Sequence, residues 1–218
     1  MQTLYFDLRD TRRPGNETEK LIARAAEILR GGGLVAFPTE TVYGLAARAG
    51  DDAAVRAIYA VKHRSPEKPL SILVSGMEMV EAYTRNIPAA AWRLAEQYWP
   101  GPLTMVLEDG GGVAPTVTCG GSTLGVRCPD HPMTLALIRA LGEPLAAPSA
   151  NPSDLPSPKT AQAVLDYFDG KIEAVLDGGV CDLGVESTIV SLTGEEPKIL
   201  REGGIPGREL LDFLKEMT

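Results

Sequence analysis

The chain has 218 residues, 44% of them hydrophobic, enough for one large domain or two small ones around a sizeable core. A formal net charge of −8 argues against a protein whose main task is gripping nucleic acid, which normally carries a basic excess, while leaving room for brief RNA contact through a local patch. Cys119, Cys128 and Cys181 are odd in number and lack C-x-x-C spacing, so they read as reduced thiols rather than a disulfide frame or a zinc site.

In chain order, the opening MQTLYFDLRDTRR has no apolar signal region, and no later run approaches the ~18 apolar residues of a membrane span. A soluble, cytoplasmic protein with no membrane contact is expected. Leu21, Ile22, Ala25, Ile28 and Leu29 form the stripe of an amphipathic helix over Glu17–Arg30, ended by Gly31-Gly32-Gly33. Leu34–Phe37 is a short buried strand stopped by Pro38, and Thr39–Leu45 is dense in hydroxyls and carries the glycine Gly44. Asp51 or Asp52 caps a helix running to Val61.

The next segment, Lys62–Leu70, puts Lys62, Arg64 and Lys68 into seven residues of an acidic chain, and Pro66 and Pro69 deny it a helix interior or a central strand. A stiffened cationic loop between a helix and a strand can hold phosphates; it can equally be a solvated connector. Strand Leu70–Val74, helices Met77–Tyr83 and Ala89–Tyr98, a break at Trp99–Pro102 and strand Leu103–Leu107 follow. Gly110–Gly121, rich in Gly and Thr, reads as a mobile loop. Thr123–Cys128 is a strand with Arg127 near its end, Pro132–Leu141 a helix and Leu145–Ala147 a short strand. Pro148–Pro158 is a long polar loop, Thr160 caps a helix to Phe168, and Ala174–Leu176, Ser187–Leu192 and Lys198–Leu200 are strands before a terminal helix opened by Pro206. Strands and helices interspersed throughout predict a single α/β domain with a mixed sheet. The long polar, proline-stiffened loops are where function is expected.

The P-loop, the Rossmann glycine pattern, H-E-x-x-H, G-x-S-x-G and kinase signatures are all absent. With only His63 and His131, neither a histidine metal cluster nor a Ser-His-Asp triad is expected; His131, before Pro132, reads as a turn residue and Cys128 as core. Arg127 at a strand end suits bidentate grip of a carboxylate or phosphate. Ser149, Asn151 and Ser157 offer neutral donors, Ser187 stands at the start of a strand, and Arg201 ends another. Taken singly each is an ordinary loop or cap residue; together they form donors at strand ends, where open α/β sheets bind ligands.

Lys62-x-Arg64 followed by Ser149-Ala150-Asn151 resembles the K-x-R…S-x-N signature of the YrdC-like L-threonylcarbamoyl-AMP synthases. Supporting blocks are Pro38–Leu45, Lys68–Leu70, Trp99–Thr104, Val126–Pro129, Ala147–Asn151, Glu186–Val190 and Arg201–Gly204, in the family's order over about residues 15 to 207. The YciO-like branch lacks the intact Lys and Ser-x-Asn elements, both present here. The resemblance implies a YrdC-like twisted open sheet with a concave ligand cleft. It implies capture of bicarbonate or CO2 by the threonine amine and attack of the carbamate on the α-phosphorus of ATP. Pyrophosphate leaves, and a separate transferase complex moves the threonylcarbamoyl group to tRNA. It implies Lys62 and Arg64 as catalytic cations at the leaving pyrophosphate, helped by Lys68, with Thr123, Ser149, Asn151, Ser157 and Arg201 also around ATP. Thr39, Arg127, Ala147 and Ser187 would surround threonine. Mg2+ would ride on the ATP phosphates, with no protein metal ligands assigned. Some relatives carry a further C-terminal domain; the implied form here is the short one, residues 1–218 with a terminal helix over 207–216. No general base is assigned; His63, between two cations where its protonated form is disfavoured, is one candidate, and desolvation with orientation alone is the other. Two other readings stand beside the synthase: an RNA-binding or ribosome-maturation factor of the same fold, and a carbamoyl-handling relative like the YrdC-like domain of hydrogenase-maturation carbamoyltransferases.

Overall fold

The structure is a computed structural model that describes residues 2–9 and 15–216. Met1, residues 10–14 and residues 217–218, included in the single-domain expectation, lie outside the described residues. In chain order the elements are β1 (Leu4–Asp7), α1 (Gly15–Arg30), β2 (Val35–Phe37), β3 (Gly44–Arg48), α2 (Asp52–Lys62), β4 (Ser71–Leu73), α3 (Met77–Tyr83), β5 (Thr84–Arg85) and α4 (Ala89–Tyr98). They continue with β6 (Leu103–Asp109), α5 (Pro115–Thr118), β7 (Thr123–Arg127), α6 (Pro132–Leu141), β8 (Leu145–Ala146), α7 (Ala161–Phe168), β9 (Ala174–Asp177), β10 (Thr188–Ser191), β11 (Lys198–Arg201) and α8 (Gly207–Lys215).

The strands form an open mixed sheet in the order β1-β9-β2-β3-β8-β4-β7-β6-β10-β11, with β5 paired to β6. β1/β9, β2/β9, β4/β7 and β6/β10 are parallel, and the remaining pairs antiparallel. Strand side chains alternate between faces, and here the alternation separates two cores. Val35, Phe37, Ala46, Leu73, Leu145, Ala174 and Leu176 face a cluster closed by Ile22, Ala25 and Leu29 of α1 and Leu137 and Ile138 of α6. Their neighbours Ala36, Leu45, Ala47, Ile72, Ala146 and Val175 face a larger cluster with Val55 and Ile58 of α2, Leu94 of α4 and Val164 of α7. Leu103, Met105, Leu107, Leu124, Val126 and Val190 also point into that larger cluster.

Six features differ from the sequence expectation. β1 and β5 were not expected: β1 is a four-residue edge strand with Leu4 and Tyr5 exposed, and β5 is two residues long. β3 is drawn from the end of the hydroxyl-rich stretch, because Val35–Phe37 pairs antiparallel with Gly44–Ala46. Gly110–Gly121 is not a free loop. It contains the helical turn α5, whose Val117 carbonyl accepts from Leu70 N at 2.8 Å, and Thr116 Oγ1 donates to Asp52 Oδ1 at 2.5 Å. Pro206 precedes α8 at its N-cap position rather than opening it, and His131 occupies the N-cap position of α6, with no capping bond from its side chain, rather than sitting in a turn. Cys128 follows β7 and is buried, as its core reading requires, and burial lifts its thiol pKa to about 11.

Candidate functional site

In the β8–β4–β7–β6–β10 half of the sheet the larger core cluster lies on one face, and the opposite parity forms a cavity of about 210 Å³. Ser71 and Leu73 flank core Ile72; Thr104 sits between Leu103 and Met105; Arg127 follows Val126; Ala147 follows Ala146; Ile189 precedes Val190. Loops supply the walls: Thr41 and Val42, Arg64 and Pro69, Pro148 and Ser149, Glu186 and Ser187, and Arg201 at the end of β11. The cavity is thus the polar face of strands whose other face is hydrocarbon.

Three guanidinium groups reach it. Arg127 is buried, 7% exposed; its Nε donates to Gly101 O at 3.1 Å, and its Nη2 to Glu40 Oε1 at 2.7 Å and Thr41 Oγ1 at 2.9 Å. Glu40 is also buried, so this is an ion pair whose orientation is set by surrounding packing. Arg201 donates to Ser187 O from Nε (3.1 Å) and Nη2 (2.9 Å), and its Nη1 lies 3.3 Å from Glu186 Oε2. Ser187 Oγ is 2.8 Å from Thr104 Oγ1, which joins β6 to the start of β10. Gly203 lets this corner close: a Cβ there would lie 2.3 Å from Glu186 O and 2.4 Å from Ser187 C. Arg64 differs from the other two. Its Nε and Nη2 donate to the carbonyls of Lys68 (3.0 Å) and Pro69 (2.8 Å), and its guanidinium lies 5.9 Å from the Tyr59 ring centroid. Arg64 has no carboxylate partner among the described residues.

The three cations expected to share one loop part company. Lys62 is the last residue of α2, 2% exposed, and its Nζ donates to Ser149 O at 2.5 Å and to Asn151 O. Burial, with Arg64 nearby adding to it, draws its pKa down to about 8. Lys68 is exposed and does not line the cavity. Of the other expected residues, Arg127, Ala147, Ser149, Ser187 and Arg201 line the cavity, as does Arg64. Asn151 and Ser157 act one layer back. Asn151 Nδ2 donates to Pro152 O and Leu155 O, and Ser157 Oγ donates to Glu186 Oε1 at 3.1 Å. Thr39 is buried, its Oγ1 donating to Val42 O at 2.6 Å and meeting Thr41 Oγ1 at 2.7 Å, so Thr41 presents a hydroxyl to the cavity in its place. Thr123 is exposed at the start of β7, off the wall. Thr41, Ser71, Thr104, Glu40 and Glu186 were missed as site residues. The signal for Ser71 and Thr104 was available: each is a hydroxyl alternating with core residues in an expected strand.

Among the described residues, no group of three or more His, Cys, Asp or Glu is arranged to hold a metal ion. Among the described residues, no helix is long and apolar enough to cross a membrane.

The family model Sua5_yciO_yrdC, described as Telomere recombination, matches residues 27–203. Threonylcarbamoyl-AMP synthase of Pyrococcus abyssi is 46% identical over 193 residues, 88% of this chain and 57% of that protein. The Bacillus subtilis protein of the same name is 45% identical over 190 residues, 87% of this chain and 55% of that one. The chain therefore spans little more than half the length of these curated relatives. The structure of P. abyssi Sua5 complexed with L-threonine superposes with a TM-score of 0.93 at 43% identity, covering 98% of this chain and 62% of that one. Escherichia coli YciO, at 24% identity and TM-score 0.82, shares the fold.

Proposed function

Because the chain belongs to the Sua5–YciO–YrdC family, we propose that it is an L-threonylcarbamoyladenylate synthase, a nucleotidyltransferase acting in the cytoplasm. The observation that carries this reading is the pair of bonds from Lys62 Nζ to Ser149 O and Asn151 O, which fasten the K-x-R helix end to the S-x-N loop beside a cavity with three arginines. In this reading Arg127 pairs with the threonine carboxylate, and Thr41, Ser71, Thr104 and Ser187 offer hydroxyls to the rest of the amino acid. Arg64, with no carboxylate partner among the described residues, faces the triphosphate, and Arg201 assists. The threonine nitrogen, once deprotonated, bonds to CO2. A carbamate oxygen then bonds to the α-phosphorus of ATP while the bond to the β-phosphate bridging oxygen breaks, and pyrophosphate leaves with the electron pair. The fixed cations act on the charge that develops on that leaving group.

Mg2+ would arrive on the ATP phosphates; the wall supplies one carboxylate, Glu186, in keeping with a cation that binds through few protein ligands plus substrate oxygens. Lys62 then serves catalysis by holding the Ser149–Asn151 backbone, not by touching phosphate. The product, a mixed anhydride, passes to a transferase complex that modifies tRNA, with at most transient tRNA contact by this chain. An RNA-binding role is less well supported, since no aromatic side chain lines the cavity to stack a base.

The deciding assay incubates the protein with ATP, threonine, bicarbonate and Mg2+ and follows pyrophosphate. Threonine-dependent release is expected. Release that is equal without threonine, or no release at all, rejects the proposal.

A further inference from the structure

Two buried side-chain polar atoms among the described residues have no hydrogen-bond partner, Glu40 Oε2 and His131 Nδ1, and the Glu40 charge acts on the His131 ring. Buried polar atoms are rarely left unpaired because each costs its full desolvation, so two together call for a common explanation. Glu40 is 8% exposed, and its other oxygen holds Arg127 Nη2. His131 is the N-cap residue of α6 and makes no capping bond with its side chain. Its ring is wedged beside the segment that carries Glu40. A Cβ on Gly178 would lie 3.1 Å from His131 Cε1 and 2.7 Å from Pro38 Cγ, and Thr134 Oγ1 of α6 donates to Pro38 O. Burial lowers the imidazole pKa, and Glu40 leads the carboxyl groups that act on it, followed by Asp182 and Asp130.

We infer that His131 is a positioning residue of the cavity: its Nδ1–H donates to Glu40 Oε2, directly or through one water, and so fixes the carboxylate that aims Arg127. The chain of contacts runs from α6 to the cavity wall as His131–Glu40–Arg127. It gives Glu40 a partner on each oxygen and explains why this histidine faces inward without capping its own helix. The functional half of the inference rests on threonine being the ligand of Arg127; the structural half does not.

Two measurements test it. With uniformly 15N-histidine-labelled full chain and no ligand, long-range 1H–15N correlations read the tautomer of each of the two histidines, a His63 variant giving the assignment. The expected result is a neutral His131 protonated at Nδ1, with that preference lost in Glu40→Gln. A neutral ring protonated at Nε2 in the wild type overturns the inference. Threonine binding is then measured calorimetrically for wild type, His131→Leu and His131→Asn, whose amide N–H falls near the Nδ1 position. His131→Leu should bind threonine ~10-fold more weakly, the scale of one lost bond to a charged group, and His131→Asn should restore it to within about threefold. Equal losses in both variants, or none, overturn the inference. If the wild type itself does not bind threonine, the synthase reading fails while the tautomer still decides the His131–Glu40 bond; it also decides should His131→Leu fail to fold.

Discussion

Lys62, Arg64 and Arg127 are cations of one cavity region, and their surroundings give them three different tasks. Arg127 is balanced by a buried carboxylate, so its contribution is orientation; Arg64 meets two carbonyl dipoles and the Tyr59 ring, has no carboxylate partner among the described residues and keeps its charge for a ligand. Arg64→Ala should therefore lower kcat by at least about 10²-fold, the scale of one lost electrostatic stabiliser. Arg127→Ala should act mainly on the KM for threonine; steady-state kinetics in both substrates separate the two, and an unchanged threonine KM rejects the Arg127 assignment. Lys62 has a signature in stability. Its folded pKa of about 8 lies below the unfolded value of ~10.4. Below about pH 8 both states hold the proton; above it the native state releases the proton that the unfolded state keeps, so stability rises with pH until the unfolded pKa is reached. Between about pH 7 and about pH 9.5 the wild type should gain roughly 2 kcal/mol relative to Lys62→Met. Urea unfolding at the two pH values measures this, and parallel behaviour of the two proteins contradicts the assignment.

At the scale of elements, the end of α2 and the turn α5 act as one unit. His63 terminates α2 in the left-handed region at φ 51°, with its N–H and that of Arg64 returning to Ala60 O and Tyr59 O. That conformation favours glycine, and the His63 side chain is exposed and off the cavity wall. His63→Gly should stabilise the fold by about 0.5–1 kcal/mol in chemical denaturation and leave kcat unchanged. A large fall in kcat would restore His63 as the proton acceptor. The loop beyond is stiff for reasons the two prolines supply only in part. Tyr59 Oη donates to Lys68 O at 2.9 Å, and Leu70 N donates to Val117 O. A Gly/Thr-rich stretch that looks free in one dimension is thereby an anchor for the arginine loop in three.

Across the whole molecule the charge is −8, yet the cavity collects three arginines against one carboxylate on its wall and another, Glu40, behind it. An acidic surface with a basic hollow admits a compact polyanion and repels an extended one. Inorganic pyrophosphate at about a hundred times its Kd should add ~2.7 kcal/mol to stability and raise Tm by about 5 °C or more. The shift should shrink in ~1 M salt, where the Debye length falls to about 3 Å, and should vanish in Arg64→Ala. Thermal scans of the two proteins check both points; a shift that survives Arg64→Ala places the anion elsewhere.

The sequence by itself determined the α/β class, most helices and strands, the side chains at strand ends and the K-x-R…S-x-N pair, because periodicity, caps and motif spacing are local or linear properties. It did not determine which residues of those motifs face the cavity. Lys62 reads as a loop cation but is the buried end of a helix, Thr39 is screened by Thr41, and Asn151 folds its own loop. Edge strand β1 became legible only with the sheet assembled, and the Ser71 and Thr104 hydroxyls, whose alternation with core residues is visible in the sequence, gained a cavity to face only there. The reason is physical: strand pairing decides which parity of a strand is covered by helices and which is left open, and the open parity between β4 and β10 is the cavity.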